Sequence, residues 1–361
     1  MAKALLLPAS LGDGHKQVAS ALRNVFIEHG VEVIEVDCFR STNFRMARCL
    51  EYSYEWMTRY TPPVYGMLYR MTSNLGPHSR LWKATSFFSK PAVIRALEQY
   101  HPDIVLQLFP NHSLARLIWQ WNRPYLGVVL TDYSIHGSWF HDNVDTYFFA
   151  NEEICEIARP FVSAQAEVVI SGIPIRSQFH IHDSPQNLSK NRPYILFATG
   201  GRGVFPHLRR AIVIARRVLP NHAVYVMCGR NEVMLHQVEG FAVNDPDIHG
   251  LPFVNNVSSW LRGASFAVIK SGGVTVSECL ASHCPMVIYH PQPGQEANNA
   301  AFIKRIGAAD IARNSEEFYT ILKRMKSSSQ RTEMAFACAS AARPDAAKRI
   351  VEHALQRLKI R

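Results

Sequence analysis

The stretch Ala267-Val-Ile-Lys270-Ser271-Gly272-Gly273-Val-Thr275-Val-Ser-Glu278-Cys-Leu280 reads as a buried strand over 266–269, a tight glycine turn, and a helix opening at about Val274. Two adjacent glycines let a backbone approach a ligand closely and take positive φ at little steric cost. The amides that follow are the unpaired donors of a helix N-terminus, where partial positive charge suits a phosphate. Glu278 lies three residues after Thr275 on the same helix face, its carboxylate able to accept from a sugar diol. The same Thr-x-x-Glu spacing also describes a capping box. On this stretch alone, a diphosphate cradle with a ribose hook and a plain helix cap stand side by side.

Outward from it, the pattern is α/β. Toward the N-terminal side, a strand over 194–198 leads into a second glycine loop, Thr199-Gly200-Gly201-Arg202-Gly203, and a helix over 208–218. A strand over 223–228, a short helix over 232–238, a strand from Ile248 into Phe253-Val254 and a short helix over 257–261 follow. After the central stretch come a strand over 286–289 and a loop over 291–299. Helices over 316–325 and 346–359 finish the chain, separated by the serines 327–329.

The first half repeats the rhythm. A strand over 3–8 ends in Ala9-Ser10-Leu11-Gly12-Asp13-Gly14-His15; a helix closed by Gly30 and a strand over 31–36 complete a βαβ opening. Helix 91–100, strand 103–108, helix 113–121 and strands 125–130, 145–150 and 166–171 continue it, with a helix over 152–163. The polar, turn-rich residues 181–193 read as a linker. The expected organisation is two Rossmann-like α/β domains facing across a cleft: 1–180, then 194–330, with a helical segment over 331–361.

At 361 residues, 47% hydrophobic and 19% charged, the chain has the composition of a globular protein with room for two cores. Its apolar start is too short for a signal peptide, and no run of about 18 apolar residues is present to span a membrane. Seven scattered cysteines without C-x-x-C argue against a disulfide framework or a zinc site and fit a reducing cytosol. The net charge of +10 is uneven: residues 1–180 hold 16 basic and 16 acidic side chains, so the excess lies beyond them. Within the neutral half, residues 40–95 carry nine basic side chains, among them Arg40, Arg45 and Arg59, against Glu51 and Glu55. Trp56, Tyr52, Tyr54, Tyr60, Trp82, Phe87 and Phe88 interleave with them. That mixture suits an anionic membrane interface, and also single-stranded nucleic acid or helices packing their aromatics inward.

Chemistry-bearing residues gather at predicted strand ends. His15 opens the first helix beside Gly14, as a general base or as a cap residue. Asp132, His136 and Trp139 follow the strand over 125–130, where catalytic groups gather and where Asp also caps turns. Trp139-Phe140 would be costly to leave in water, so a lipid or a neighbouring loop is expected to cover it. Gly200, Gly201, Lys270, Ser271, Gly272 and Gly273 supply anion-binding parts, and Gln295 and Glu296 offer bidentate hydrogen bonding to a polyol. A diphosphate, a diol and a second polyol describe a nucleotide sugar. Asp245-Pro246-Asp247 matches a D-x-D metal motif, but its proline and its place before a strand read as a turn.

In order along nearly the whole chain, several motifs resemble the diacylglycerol glycosyltransferases, the monogalactosyldiacylglycerol synthases and bacterial processive glucosyltransferases, related to the lipid II-forming GlcNAc transferase. They are Ser10-x-Gly12-Asp13-Gly14-His15, Leu130-Thr-Asp132-Tyr-Ser-Ile-His136-x-x-Trp139, Asn151-Glu, Ser171-Gly-Ile-Pro174-Ile, Lys270-Ser-Gly-Gly-Val-Thr275-Val-Ser-Glu278 and Gly294-Gln295-Glu296-x-Asn298. The resemblance implies a GT-B fold. It implies inverting, metal-independent transfer from a UDP-sugar, UDP-glucose or UDP-galactose, to a membrane lipid hydroxyl, most simply that of diacylglycerol. No cofactor and no nucleic acid are expected, and the place is the cytoplasmic face of an anionic membrane.

By that likeness Glu278 binds the ribose, residues 271–275 the phosphates, and Gln295 and Glu296 the sugar, with Gly200, Gly201, Val254 and Lys270 also on the donor side. His15 is the base or its orienter, with Asp132 acting on or through it, and Trp139 touches the lipid, joined on the acceptor side by Gly14, His136, Trp56 and Arg59. Ser271, standing where many members have Pro or Ala, is unexplained by the resemblance. The rivals are a nucleotide-sugar epimerase on the same fold and a non-enzymatic basic protein binding membrane or nucleic acid.

Overall fold

The computed structural model describes residues 1–9, 14–38, 48–49, 52–53, 56–57, 60–87, 89–115, 117, 123–180 and 192–360. The glycine loop at 10–13, Arg40, Arg45, Tyr54, Arg59, Phe88, most of the helix expected over 113–121 and the linker over 181–191 lie outside the described residues. The chain forms two compact units. One comprises Met1–Arg176, Pro293–Gln295 and Asp345–Arg361, and the other Ser177–Gln292 and Glu296–Pro344. The segment expected as a single helical tail, 331–361, is thus divided between them.

In the first unit, β1 (Lys3–Leu7), α1 (Gly14–Glu28) and β2 (Glu32–Glu35) form the βαβ opening. Among the described residues there follow the helices α2 (Pro62–Ser73), α3 (Arg80–Ser86) and α4 (Lys90–Tyr100). Then come β3 (Ile104–Gln107), β4 (Tyr125–Val129), β5 (Thr146–Phe149), α5 (Glu152–Ala158) and β6 (Glu167–Ile170). The sheet is parallel throughout, in the order β2-β1-β3-β4-β5-β6. Sequence order reverses between β1 and β3, whose register pairs Leu7 with Gln107, and β3 pairs Gln107 with Val128. The carboxyl ends of β1, β3 and β4 therefore lie side by side, at the switch point where open α/β sheets bind ligands.

The second unit runs β7 (Tyr194–Ala198), α6 (Leu208–Val218), β8 (Ala223–Met227), α7 (Glu232–Ala242), β9 (Ile248–Leu251), α8 (Val257–Gly263) and β10 (Phe266–Ile269). It continues with α9 (Gly273–Ala281), β11 (Met286–Tyr289), α10 (Gln295–Arg305), β12 (Ala309–Ala312), α11 (Ser315–Arg324) and α12 (Ser328–Ala341); α13 (Ala346–Ile360) returns to the first unit. Its sheet is also parallel, ordered β12-β11-β10-β7-β8-β9, so the switch point falls between β10 and β7. Phe266 pairs with Ile195 and Ile269 with Ala198, so Lys270 and Thr199 leave adjacent strands together.

Strands buried on both faces explain the continuous apolar runs in the sequence. Leu5, Val105, Val128 and Tyr147 anchor one core, and Phe197, Phe266, Val287 and Phe318 the other. A fully buried side chain of this kind contributes about 1.5–3 kcal/mol of burial free energy. Three elements in the second unit's run escaped the pattern. The loop expected over 291–299 is mostly α10; β12 was unread; and the 327–329 serines begin α12, with the Ser327 side chain accepting from the Gln330 N–H as N-cap.

Candidate active site

The turn after β10 is built from backbone. Gly272 is the N-cap of α9 with φ −67° and ψ 135°, so it is not in the left-handed region that the double glycine suggested. Its freedom lies in space instead: a Cβ built there meets nothing within 4 Å. With Gly272 as N-cap, Thr275 is the third residue of the helix and cannot cap it, which removes the capping-box reading. No acidic side chain occupies the helix's first turn. The partial positive charge of the N-terminal amides is therefore not offset by an acidic side chain of the helix's own first turn. Glu278 is only 4% exposed, in the wall of α9 rather than standing clear of it as the spacing implied.

Ser271, unexplained from sequence, has structural partners. Its Oγ donates to the Glu296 carbonyl at 2.6 Å, and the Asn299 side chain donates to the Ser271 carbonyl at 2.9 Å. A hydroxyl here ties the turn to the first turn of α10. Glu296 itself accepts from the Gln292 N–H at 3.1 Å. The second glycine loop is packed down on the turn after β8. Gly200 and Gly203 take φ +81° and +60°, and a Cβ on Gly203 would lie 2.1 Å from the Cys228 carbonyl oxygen. A Cβ on Gly229 would meet the Gly201 oxygen at 2.6 Å. Only glycine satisfies both the conformation and the approach. Val254 is partly buried after the edge strand β9, with β8 between β9 and β7; Arg230, after β8, donates its N–H to the Gly201 carbonyl and lies over the ring of the neighbouring Phe253.

In the first unit the site is built from side chains. Gly14 and His15 open α1. The His15 Nδ1–H donates to the Leu108 carbonyl, just after β3, at 2.8 Å. A carbonyl only accepts, so the neutral ring keeps its lone pair on Nε2. Its ring lies edge-on to Phe109 at 5.1 Å. Burial pushes the His15 pKa below the usual histidine value, opposed by the negative charge of Asp132 and by the Leu108 bond. Asp132 is 6% exposed and accepts from the Gln295 side-chain amide at 2.7 Å. Gln295 and Asp132, read from sequence as a sugar ligand and a catalytic group, are thus hydrogen-bonded to each other.

His136 is half-buried and fully engaged. Ser138 N–H donates to Nδ1, and the ring's Nε2 meets the Thr72 hydroxyl at 3.0 Å, with the Tyr69 ring tilted against it and the Trp82 ring in edge contact. Burial takes it down to about 4. Trp139 is 3% exposed and packs in the first unit's core. Neighbouring protein, not lipid, covers the indole, which corrects the expected lipid contact. Trp56 is 49% exposed, as a surface role requires.

A buried polar group behind these residues was missed. His112, after β3, donates to the Ser138 carbonyl and is driven down to about 3 by burial and by His141. His141, held down to about 4 by burial, bonds the Asp142 carbonyl and meets the Gln107 side-chain amide at 3.0 Å. Asn111-His112-Ser113 stands directly after a predicted strand, the position already used to single out Asp132, so the signal was present. Asp245 and Asp247 are both engaged by Arg216 at 2.7 Å, which makes the D-x-D stretch an ion-paired turn.

Comparison with known proteins gives concordant results. Residues 15–175 match the model for monogalactosyldiacylglycerol (MGDG) synthase, and residues 195–350 that for the glycosyltransferase family 28 C-terminal domain. The chain is similar to a processive diacylglycerol beta-glucosyltransferase of Bacillus cereus, 30% identical over 366 residues spanning 97% of this chain and 92% of the relative. Among solved structures it resembles the MurG of Acinetobacter baumannii, with TM-score 0.63 and 15% identity over 99% of this chain and 100% of that one. It also resembles a Listeria monocytogenes chain described as a UDP-N-acetylglucosamine 2-epimerase, with TM-score 0.61 and 12% identity over 97% and 94% of the two chains. The fold is the expected GT-B type.

Proposed function

Because the chain belongs to the diacylglycerol glycosyltransferase family, we propose that it moves a hexose from a UDP-sugar to the hydroxyl of 1,2-diacylglycerol with inversion and without a metal. The observation that carries the reading is the His15 geometry. Its Nδ1–H is fixed on Leu108 and its depressed pKa keeps Nε2 unprotonated at neutral pH, with Asp132 near enough to stabilise the imidazolium that forms. Nε2 takes the acceptor hydroxyl's proton as that oxygen bonds to the anomeric carbon and the bond to UDP breaks. The departing diphosphate is stabilised by the amides after Gly272, with Lys270 as a point charge beside them. Glu278 accepts from the ribose hydroxyls, reached through its small exposed fraction. Gly200 and Gly201 border the same strand ends.

A surface on α2 supports delivery from a membrane. Val64, Met67, Leu68 and Met71, spaced i, i+3, i+4, i+7, are 43–66% exposed, with Arg70 and Arg80 exposed nearby. An apolar stripe edged by cations suits an anionic bilayer surface. Among the described residues no helix is long and apolar enough to cross a membrane.

The test is an assay of the purified chain with UDP-glucose or UDP-galactose and diacylglycerol in anionic vesicles, with and without EDTA. Glycolipid formation with equal rates in both is expected. UDP-sugar turned over without lipid would favour the epimerase reading, and no UDP release with any UDP-sugar and lipid would end the transferase reading.

A further inference from the structure

Residues 293–295 belong to the first unit, and their packing there is specific. A Cβ built on Gly66, in the inward face of α2, would lie 2.5 Å from the Pro293 Cβ. Gly294 takes φ +91°, and a Cβ on it would fall 3.0 Å from the Tyr69 ring and 3.1 Å from the Tyr65 ring. Glycine is thus required at both positions, one for approach and one for approach and conformation. The next residue, Gln295, donates its amide to Asp132 at 2.7 Å. Tyr69 in turn packs with its ring tilted against His136 at 4.9 Å, which is itself held by Thr72 from the end of α2.

We propose that Pro293–Gln295 is a strap seated on α2 that positions Asp132 against His15, making Gln295 a positioning residue for the base rather than solely a sugar ligand. The inference rests on the reading of His15 and Asp132 as the proton-accepting pair. The physical reason is charge sharing. An amide N–H on one carboxylate oxygen fixes the carboxylate's orientation and draws off part of its negative field. Among the described residues, the groups facing His15 are the Asp132 carboxylate after β4, the Leu108 carbonyl after β3, and the uncharged Phe109 ring. Asp132 is therefore the charge through which the strap reaches the imidazole. Without the amide, more of that charge acts on His15, which then holds a proton to higher pH.

The experiment uses the full chain with isotope-labelled histidine, following the His15 ring by NMR titration and assigning it by its loss in His15→Gln. In Gln295→Leu the His15 midpoint is expected to rise by about half a unit or more. Gly66→Ala, whose methyl must displace Pro293, is expected to move it the same way. Gln295→Glu preserves the side chain's shape, and because a carboxyl so close to Asp132 shares one proton with it and still donates, the midpoint should stay near that of the unmodified chain. The acidic limb of kcat/KM for UDP-glucose with dioleoylglycerol should move in parallel. An unmoved His15 midpoint in Gln295→Leu and Gly66→Ala, with only the KM for UDP-glucose altered, would overturn the proposal and leave Gln295 as a donor ligand. Because the titration needs no turnover, it stands apart from the transferase reading, which His15→Ala tests by rate.

Discussion

At the carboxyl end of the first unit's sheet the buried groups are side chains: Gln107, His112, Asp132 and His141. At the matching end of the second unit, Gly200, Gly201, Gly272 and Gly273 present backbone instead. Both ends lie at a topological switch point, so the fold treats them alike, and the proposed function gives their contents different tasks. Moving a proton needs a titratable group whose affinity is tuned by burial and a neighbouring charge. Holding a diphosphate needs fixed dipoles and room for close approach, which a side chain would obstruct. Substitutions should therefore act on rate and pH dependence in one unit and on donor affinity in the other.

The largest effect is expected at His15. His15→Ala should lower kcat by about 10²–10⁴ while the KM for the UDP-sugar changes little. Initial rates of glycolipid formation check it, and near-normal turnover would move the base elsewhere. In the unmodified chain the acidic limb should lie below the ordinary histidine value, because His15 must be neutral to act and its pKa is lowered. Next is Gly203→Ala, which forces an L side chain into φ +60° against the Cys228 carbonyl and should cost about 3 kcal/mol. Urea denaturation measures it.

Acid should separate the units. His112, His136 and His141 have lowered pKa values in the fold, so the unfolded chain binds more protons below about 6.5 and stability falls from there toward 4. With half-buried His136 discounted, about 3–4 kcal/mol should be lost between pH 7 and 5. Urea unfolding at each pH, followed by thiol labelling at pH 7, reads it. The first unit's Cys38 and Cys155 should become reactive before Cys279 and Cys338 of the second. Simultaneous exposure would break the contrast.

Gly272→Ala sharpens the comparison with Gly203. Its φ of −67° and open surroundings should leave stability unchanged, yet a methyl in the path of a diphosphate should raise the donor KM by about tenfold (~1.4 kcal/mol). An unaltered KM would remove the phosphate from that turn. The smallest effect is expected for Glu278→Gln, which keeps shape and burial and should raise the donor KM about fivefold, a loss of ~1 kcal/mol, with the lipid KM unchanged. Isothermal titration with UDP provides the direct measurement.

Periodicity and turn chemistry, which act between near neighbours, made most of the architecture legible. The strands, the paired glycine loops, His15 at a helix start and Asp132 after a strand were all readable, because φ/ψ preference and side-chain alternation are local properties of the chain. Local reading also misled where two local explanations fitted one motif. Thr275-x-x-Glu278 resembled a capping box until the helix began at Gly273, and the 327–329 serines resembled a break until one of them capped α12.

What only the tertiary structure decided concerns partners distant in sequence. Gln295 meets Asp132 across 163 positions, His15 meets Leu108 across 93, and Ser271 meets Glu296 across 25. Trp139 became core rather than surface because neighbouring elements close over it. No spacing rule encodes such pairs, since they follow from which strands lie adjacent and how far each loop extends beyond them. The sequence by itself determined that two glycine-bordered strand ends exist and which chemical groups stand there. The packing determined which of those groups hold one another in place.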